Sequence, residues 1–342
     1  MHRVADIPCS IDLMKPIPEG DSSVDIPQQA PLSGSSLHSA SSFPTEEDEE
    51  FLRTAALTVA DLEGILGSGP SRFAPRDDRE RSISEQVASL TRKEKKCLEN
   101  LKQRWETRNP DLPFSDSMYL RFARTSPGGK KFNEKASWEV MKKFDHHYLS
   151  LTAEVLEPQL MTKTLFPVPG LRTKNGQDMF YMKPSRYTPK QTPTEDIIDN
   201  LAYVMQSISS SERSSTDGIG FLANMNDWKY SNFSVHYCSE FMATLQHRIP
   251  ARVEIFLIVN PPSWFPAIWR IMKGMLSWNF RRKVFMIHES KLDKYLEKGF
   301  EAFLPDDMSR GTCDTEQLVK DFIAYRKFVE GTDVAWDTSL RY

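Results

Sequence analysis

The sequence predicts an α/β protein, a β-sheet layered with helices and preceded by a small all-helical unit. Short apolar runs with strand character alternate with longer runs of helical period between Met179 and Ile287, the signature of a layered α/β domain. One of these runs, Val253–Val259, is β-branched and almost fully apolar, as expected of a strand buried on both faces. Upstream, residues 83–151 carry only the helical period.

Residues 1–50 are rich in Ser and Pro, poor in aromatic residues, and end in an acidic run from Glu46 to Glu50. Such a segment buries too little apolar surface to offset its ordering entropy and is expected to be disordered. Phe51, Leu52, Leu57, Leu62 and Leu66 outline a short amphipathic helix over 51–66, and Gly67, Gly69, Pro70 and Pro75 a second linker. Tail and linker together span 1–80. Arg79-Glu80-Arg81-Ser82 resembles a basophilic kinase site, for which a solvated charge run is the plainer reading.

Order begins near Ile83. Thr91 with Glu94 makes a capping-box pattern, and Cys97, Leu101 and Trp105 follow at helical spacing up to a stop at Asn109-Pro110. A short helix falls around 118–124. Another is expected over 133–151, with Ala136, Val140, Phe144 and Tyr148 on one face. Beyond it the strands are placed at 179–182, 218–225, 253–259 and 283–287. Ile197, Leu201, Val204, Met205 and Ile208 mark a helix between the first two, and further helices fall at 233–245 and 264–277. Leu318, Phe322 and Tyr325 are in phase on a closing helix over 314–329. The expected division is therefore a helical unit at 83–151, an α/β domain at 152–313, and a C-terminal helix and tail at 314–342.

Composition narrows the function. A net charge of −3 over 342 residues argues against nucleic acid as a partner. Cys9, Cys97, Cys238 and Cys313 are scattered, which fits reduced, buried thiols and no metal or redox motif. The first twenty or so residues lack the apolar segment of a signal peptide, being interrupted by Pro8, Pro16 and Pro18. The apolar stretch from Val253 to Phe280 is broken by Asn260, Pro261, Pro262, Arg270 and Lys273, short of the ~20 residues that span a bilayer. A cytoplasmic protein is expected, in which the Asn232-Phe233-Ser234 sequon is a chance match. The sequence contains no phosphate loop, nucleophile elbow or zinc-protease motif, so no catalytic residue, metal or cofactor is assigned. Gly218-x-Gly220-x-x-Ala223 lies within an expected strand, where a dinucleotide fingerprint does not belong. His146 and His147, as neighbours on a helix, do not face one ligand.

The informative segment is 262–283. At about 100° per residue, Arg270, Lys273, Gly274 and Ser277 fall on one narrow stripe, with Arg281 added if the helix continues. Nearly everything else is large and apolar: Trp264, Phe265, Ile268, Trp269, Ile271, Met272, Met275, Leu276, Trp278. That face is too wide for a helix packed once on a core. Two readings stand: an internal helix of a large core, or an interfacial helix whose outer side meets lipid.

Several segments resemble one family. Ile249-Pro250-Ala251-Arg252 followed by Val253–Val259 and Asn260-x-Pro262 is similar to the turn, central strand and Asn-x-Pro stop of the CRAL-TRIO lipid-binding domain family. Met272-Lys273-Gly274-Met275-Leu276, the strand from Lys283 to Ile287, and Leu304-Pro305 with Gly311-Thr312 resemble its next three motifs in order. Upstream, Tyr119-Leu120-Arg121-Phe122-Ala123-Arg124 resembles the family's N-terminal helical unit, and Met179 through Tyr187 its first strand and turn. The resemblance runs over roughly 85–325.

It implies a CRAL-TRIO fold: a mixed sheet flooring a hydrophobic pocket, under a mobile gate helix that opens against membranes. The gate residues would be Phe265, Ile268, Trp269, Met272 and Leu276. The pocket would be lined by Ile219, Phe221, Ala223, Trp228, Phe256 and Ile258, for each of which plain core packing is the alternative. The family's phosphatidylinositol-binding subtype has a Glu where this chain has Ala251 and a Thr where it has Phe280, while its Lys is kept as Lys283; these departures weigh against phosphatidylinositol as the enclosed ligand. The tocopherol- and retinal-carrier subtype holds a phosphoinositide head group in a basic cluster. The corresponding residues here would be Lys130, Lys131, Arg252 and Lys283, joined by Lys273 and Arg281, with a solvated basic face as the alternative. Ser126-Pro127-Gly128-Gly129 resembles an insertion, and Ser185, Asn224 and Arg310 replace family residues, marking a divergent member.

The expected function is that of a carrier. It would enclose a lipid, isoprenoid or phospholipid and present it as a peripheral protein at a membrane surface that carries phosphoinositides. The alternative is an interaction scaffold for a protein partner such as a small GTPase, recruited through the disordered N-terminus. An enzyme of unrecognised type has no motif behind it.

Overall fold

The computed structural model describes residues 72–73, 81–125 and 132–331. The expected helix over 51–66, nearly all of the 1–80 tail and linker, the insertion at 126–129, and Lys130 and Lys131 lie outside these residues.

Helices lead the chain. Ser82 and Thr91 each close a capping box, with Glu85 and Glu94, at the starts of α1 (Ile83–Ala88) and α2 (Arg92–Arg108). Ser115 caps α3 (Asp116–Arg124) and Asn133 caps α4 (Glu134–Lys143). Leu101, Trp105, Phe122, Trp138 and Met141 from these helices are buried together in the core. The single helix expected over 133–151 is two pieces. Phe144 turns to extended backbone, and Asp145 accepts a hydrogen bond from the His147 amide (2.9 Å) to start a 3-10 turn, His146–Leu149. An Asp side chain that captures a nearby N–H competes with helix continuation, which apolar period alone does not reveal. A further helix, α5 (Ala153–Leu160), leads into the sheet.

Five strands form that sheet, in spatial order β1 (Leu165–Arg172), β2 (Asp178–Met182), β3 (Ile219–Asn224), β4 (Val253–Val259) and β5 (Val284–Ile287). β1 runs antiparallel to β2, and β2 to β5 are mutually parallel, so the sheet is mixed. β1 is absent from the sequence reading because Pro167 and Pro169 interrupt it, and prolines ordinarily demote a strand. It holds the edge of the sheet, where missing N–H groups are tolerated. Gly218, at φ +81° just ahead of β3, accepts no side chain: a Cβ there would stand 2.6 Å from the Arg252 carbonyl oxygen.

The parallel crossovers carry α6 (Thr194–Ser209) and α7 (Glu212–Asp217) between β2 and β3, α8 (Val235–Ala243) between β3 and β4, and α9 (Phe265–Met275) with the short α10 (Trp278–Arg281) between β4 and β5. The helix α11 (Thr315–Gly331) closes the described chain. It buries Leu318, Val319, Phe322, Ile323 and Val329. Glu330 accepts from the Ala153 amide (2.8 Å) and the Tyr203 hydroxyl (2.6 Å), and Arg326 donates to both Tyr203 (3.0 Å) and Glu330 (3.0 Å). Phe73, inside the expected linker, packs its ring 5.2 Å from Phe322.

Candidate functional site

Register places two rows of side chains across one face of the sheet. Phe180, Phe221, Phe256 and Val284 are successive partners, and so are Met182, Ala223, Ile258 and Met286. The first row is a ring stack, with Phe180 to Phe221 at 5.0 Å and Phe221 to Phe256 at 5.3 Å. The second lies nearer the C-terminal ends of the parallel strands, where open α/β sheets ordinarily place their ligands.

A cavity of about 60 Å³ opens there. Its floor is Met182, Ala223, Phe256 and Ile258, and the turn after β2 adds Pro184 and Tyr187. Met225, Trp228 and Asn232 come from the loop after β3. One wall is α8, through Tyr237, Cys238, Phe241 and Met242, and the opposite wall is α9, through Phe265 and Met272. Among the described residues, no charged side chain lines it. Burial pushes the Cys238 thiol up to about 12, so at neutral pH it is a thiol and behaves as an apolar group. The Asn232 side-chain amide donates to the backbone oxygens of Tyr187 (2.7 Å) and Ser185 (3.2 Å), which commits this sequon residue to the fold.

Of the sequence-expected pocket residues, Ala223, Trp228, Phe256 and Ile258 line the cavity. Phe221 shares their face but lies one row behind, in the ring stack, and Ile219 sits at the far, N-terminal end of β3. Both are core rather than lining, the alternative reading for these positions. The α8 wall was missed, although positions 237, 238, 241 and 242 recur at the spacing of one helix face.

The construction of α9 is local. β4 ends at Asn260, whose φ of +52° is a left-handed conformation that Asn adopts more readily than other side chains. Its side-chain oxygen accepts from the Glu289 amide at 2.9 Å, fixing the exit from the sheet. Pro261-Pro262 bars continuation, and Trp264 begins the helix with its ring 4.8 Å from Trp228. Phe265 and Ile268 are buried, Trp269 and Met272 half-buried, and Ile271 exposed. The helix does not run on to Arg281. Leu276 is extended and buried, and Ser277 caps the separate α10. Gln246, in a π-helical turn after α8, holds this break: it donates to the Met275 oxygen (3.3 Å) and accepts from the Ser277 amide (2.8 Å). π turns occur often at functional sites.

Arg252 and Lys283 do come together, but on an acid that sequence reasoning overlooked. Arg252 Nε lies 2.5 Å from one Glu254 oxygen and Lys283 Nζ 3.2 Å from the other, while Lys283 also donates to the Val253 oxygen at 2.8 Å. Lys273 stands exposed on α9, and Arg281 donates to the Leu276 oxygen at 2.9 Å. From Ile255 to His288 the chain has no acidic residue, and Arg270, Lys273, Arg281 and Arg282 form no ion pair among the described residues. Arg282 instead lies 4.8 Å over the ring of Trp278, which is 66% exposed.

Comparison with known proteins agrees with this architecture. The CRAL/TRIO domain profile matches residues 162–307, which run from just before β1 to Asp307. The chain is 21% identical over 233 residues to Tyrosine-protein phosphatase non-receptor type 9 of Homo sapiens, covering 66% of this chain and 38% of that protein. It is 23% identical over 224 residues to Alpha-tocopherol transfer protein-like of Homo sapiens, covering 62% of this chain and 64% of that protein. The matched region thus spans less than two thirds of either relative. A solved structure, that of Sfh5, aligns with a TM-score of 0.44 and 12% identity over 60% of this chain and 83% of its own. With a mixed sheet, an apolar cavity at its strand ends and a match that covers all five strands, residues 162–307 of the chain form a CRAL/TRIO domain.

Proposed function

We propose that the protein encloses one hydrophobic molecule between the sheet, α8 and α9, and exchanges it at a membrane surface with α9 as the gate. The observation that carries this reading is a cavity without charged lining, walled by a helix that is apolar inside and basic outside. Ligand pockets for drug-sized molecules are usually ~300–1,000 Å³, so a lipid requires the cavity of about 60 Å³ to widen. α9 is the wall bounded by breaks on both sides, at Asn260 to Pro262 and at Leu276. Its exposed Ile271, the neighbouring Trp278, and Arg270 and Lys273, which form no ion pair among the described residues, combine the apolar and cationic groups of an interfacial helix. Among the described residues no helix is long and apolar enough to cross a membrane, so the attachment we propose is peripheral. Arg252 and Lys283 would meet anionic head groups, phosphoinositides among them, in competition with Glu254.

Native mass spectrometry of the purified protein, followed by organic extraction, tests the carrier reading. A defined apolar molecule near one per chain is the expected result. A protein recovered repeatedly without one, even after incubation with membrane extract, would favour a scaffold that uses the Trp278 face to bind another protein.

A further inference from the structure

One arginine fastens the start of the helical unit to the α/β layer. Arg81 donates to Glu212, the first residue of α7, from two of its groups: the backbone amide reaches one carboxylate oxygen at 3.2 Å, and the guanidinium Nε reaches the other at 3.1 Å. The charge run at 79–82 is thus more than a solvated face. The clasp is exposed, and exposed ion pairs contribute little to stability, so a stronger anion can displace the carboxylate.

Ser84 stands three residues beyond Arg81, and the sequence repeats an arginine at Arg79, five residues before it. Arginines at these two spacings ahead of a serine are what the acidic subsites of arginine-directed protein kinases read. Spacing from Arg79 alone points to Ser82, and the structure separates the two hydroxyls. That of Ser82 is committed to the capping box, accepting from the Glu85 amide at 3.3 Å and donating to the Glu85 carboxylate at 2.7 Å. Ser84 is exposed and lies outside the box, its hydroxyl 3.0 Å from that of Ser82. α1 has six residues and buries only Gln86, so it opens locally at small cost and gives a kinase the extended backbone it needs.

We propose that Ser84 is a phosphorylation site for an arginine-directed protein kinase, and that its phosphate takes Arg81 from Glu212 and opens the clasp. In the transfer, the Ser84 Oγ bonds to the terminal phosphorus of ATP, and the bond from that phosphorus to the bridging β–γ oxygen breaks. ADP leaves, and the hydroxyl proton passes to the kinase's base. The product carries about two negative charges and three acceptor oxygens. A guanidinium pairs with such a group more strongly than with a single carboxylate.

The full chain, as wild type, Ser84→Ala, Ser82→Ala and Glu212→Ala, is incubated with ATP and the catalytic subunit of cyclic-AMP-dependent protein kinase, and phosphopeptides are mapped by mass spectrometry. Wild type and Ser82→Ala should take up phosphate on Ser84, and Ser84→Ala should lose it from this segment. Amide exchange resolved at Arg81 then reads the clasp. Phosphorylation should accelerate that exchange roughly 5-fold by removing the acceptor of the Arg81 N–H. Glu212→Ala should reach the same rate without phosphate and gain nothing further from it. Phosphate on Ser82 with Ser84 unmodified, or on neither serine, would overturn the site. Phosphate on Ser84 with an unchanged Arg81 amide would overturn the displacement of Glu212.

Discussion

Single residues set the charge balance of this molecule in ways that pattern reading catches only in part. Arg252 and Lys283 were legible as a cationic pair, but Glu254, which bridges them, was hidden in an apolar strand where alternation marks it only as a non-core position. Its neutralisation adds one net positive charge beside the two cations. Glu254→Gln should therefore tighten binding to vesicles containing phosphoinositide by roughly 5-fold, at ~1 kcal/mol per charge near an anionic surface. High salt should erase the gain by screening. Unchanged sedimentation with vesicles would show that this pair does not face the membrane. His146 carries a second residue-level prediction. Its ring stacks on Phe114 at 4.8 Å and on Trp105 at 5.7 Å, and burial lowers its pKa; His247 is lowered too, by burial and then by Lys143. The folded state thus takes up these protons less readily than the unfolded chain. The stability they contribute is complete above the unfolded value of ~6.5 and is lost as the pH falls through the folded pKa. Melting temperature should drop between about pH 7 and pH 5, and His146→Phe should flatten part of the slope. An unaltered slope would assign it to other groups.

At the scale of elements, periodicity identified α9 and its width, but not its end. Nothing in the apolar spacing distinguishes Leu276 from one more helical position. The break depends on Ser277, which caps the next turn, and on Gln246, thirty or so residues upstream and beside it only in the fold. The interrupted helix at Phe144 has a local origin instead, in Asp145 and the His147 amide it captures. A long-range partner such as Gln246 leaves no trace in local sequence. Gln246→Ala removes the donor to Met275 and the acceptor for Ser277, both at the C-terminal hinge of α9. Hydrogen exchange of 265–276 should accelerate roughly 5-fold, while global stability falls by only ~1 kcal/mol. Exchange that is accelerated equally throughout the chain would mean that Gln246 stabilises the core and not this hinge.

For the whole molecule, the alternation of strands and helices was enough to place four of the five strands and their layering. The fifth, β1, was lost because its prolines argue against a strand, an argument that holds in a sheet interior and fails at an edge. The closing helix was legible from Leu318, Phe322 and Tyr325, whereas its polar ties through Arg326 and Glu330 to Tyr203 and Ala153 required the structure. Each fully buried apolar side chain is worth about 1.5–3 kcal/mol, so the five on α11 together rival the ~5–15 kcal/mol of a typical domain. A chain ending at residue 314 should be insoluble or should lose cooperative thermal unfolding; a soluble product with the full-length melting profile would show that α11 is dispensable. The prolines of β1 have one further effect. An open sheet edge is a template on which a strand from another copy can add, and a residue without an N–H offers nothing for that strand's carbonyl. Pro167 and Pro169 thus leave the β1 edge short of donors for an added strand, while the Glu297 amide already takes the Arg172 oxygen at its end; the opposite edge strand, β5, bears the partly exposed Phe285 and Met286.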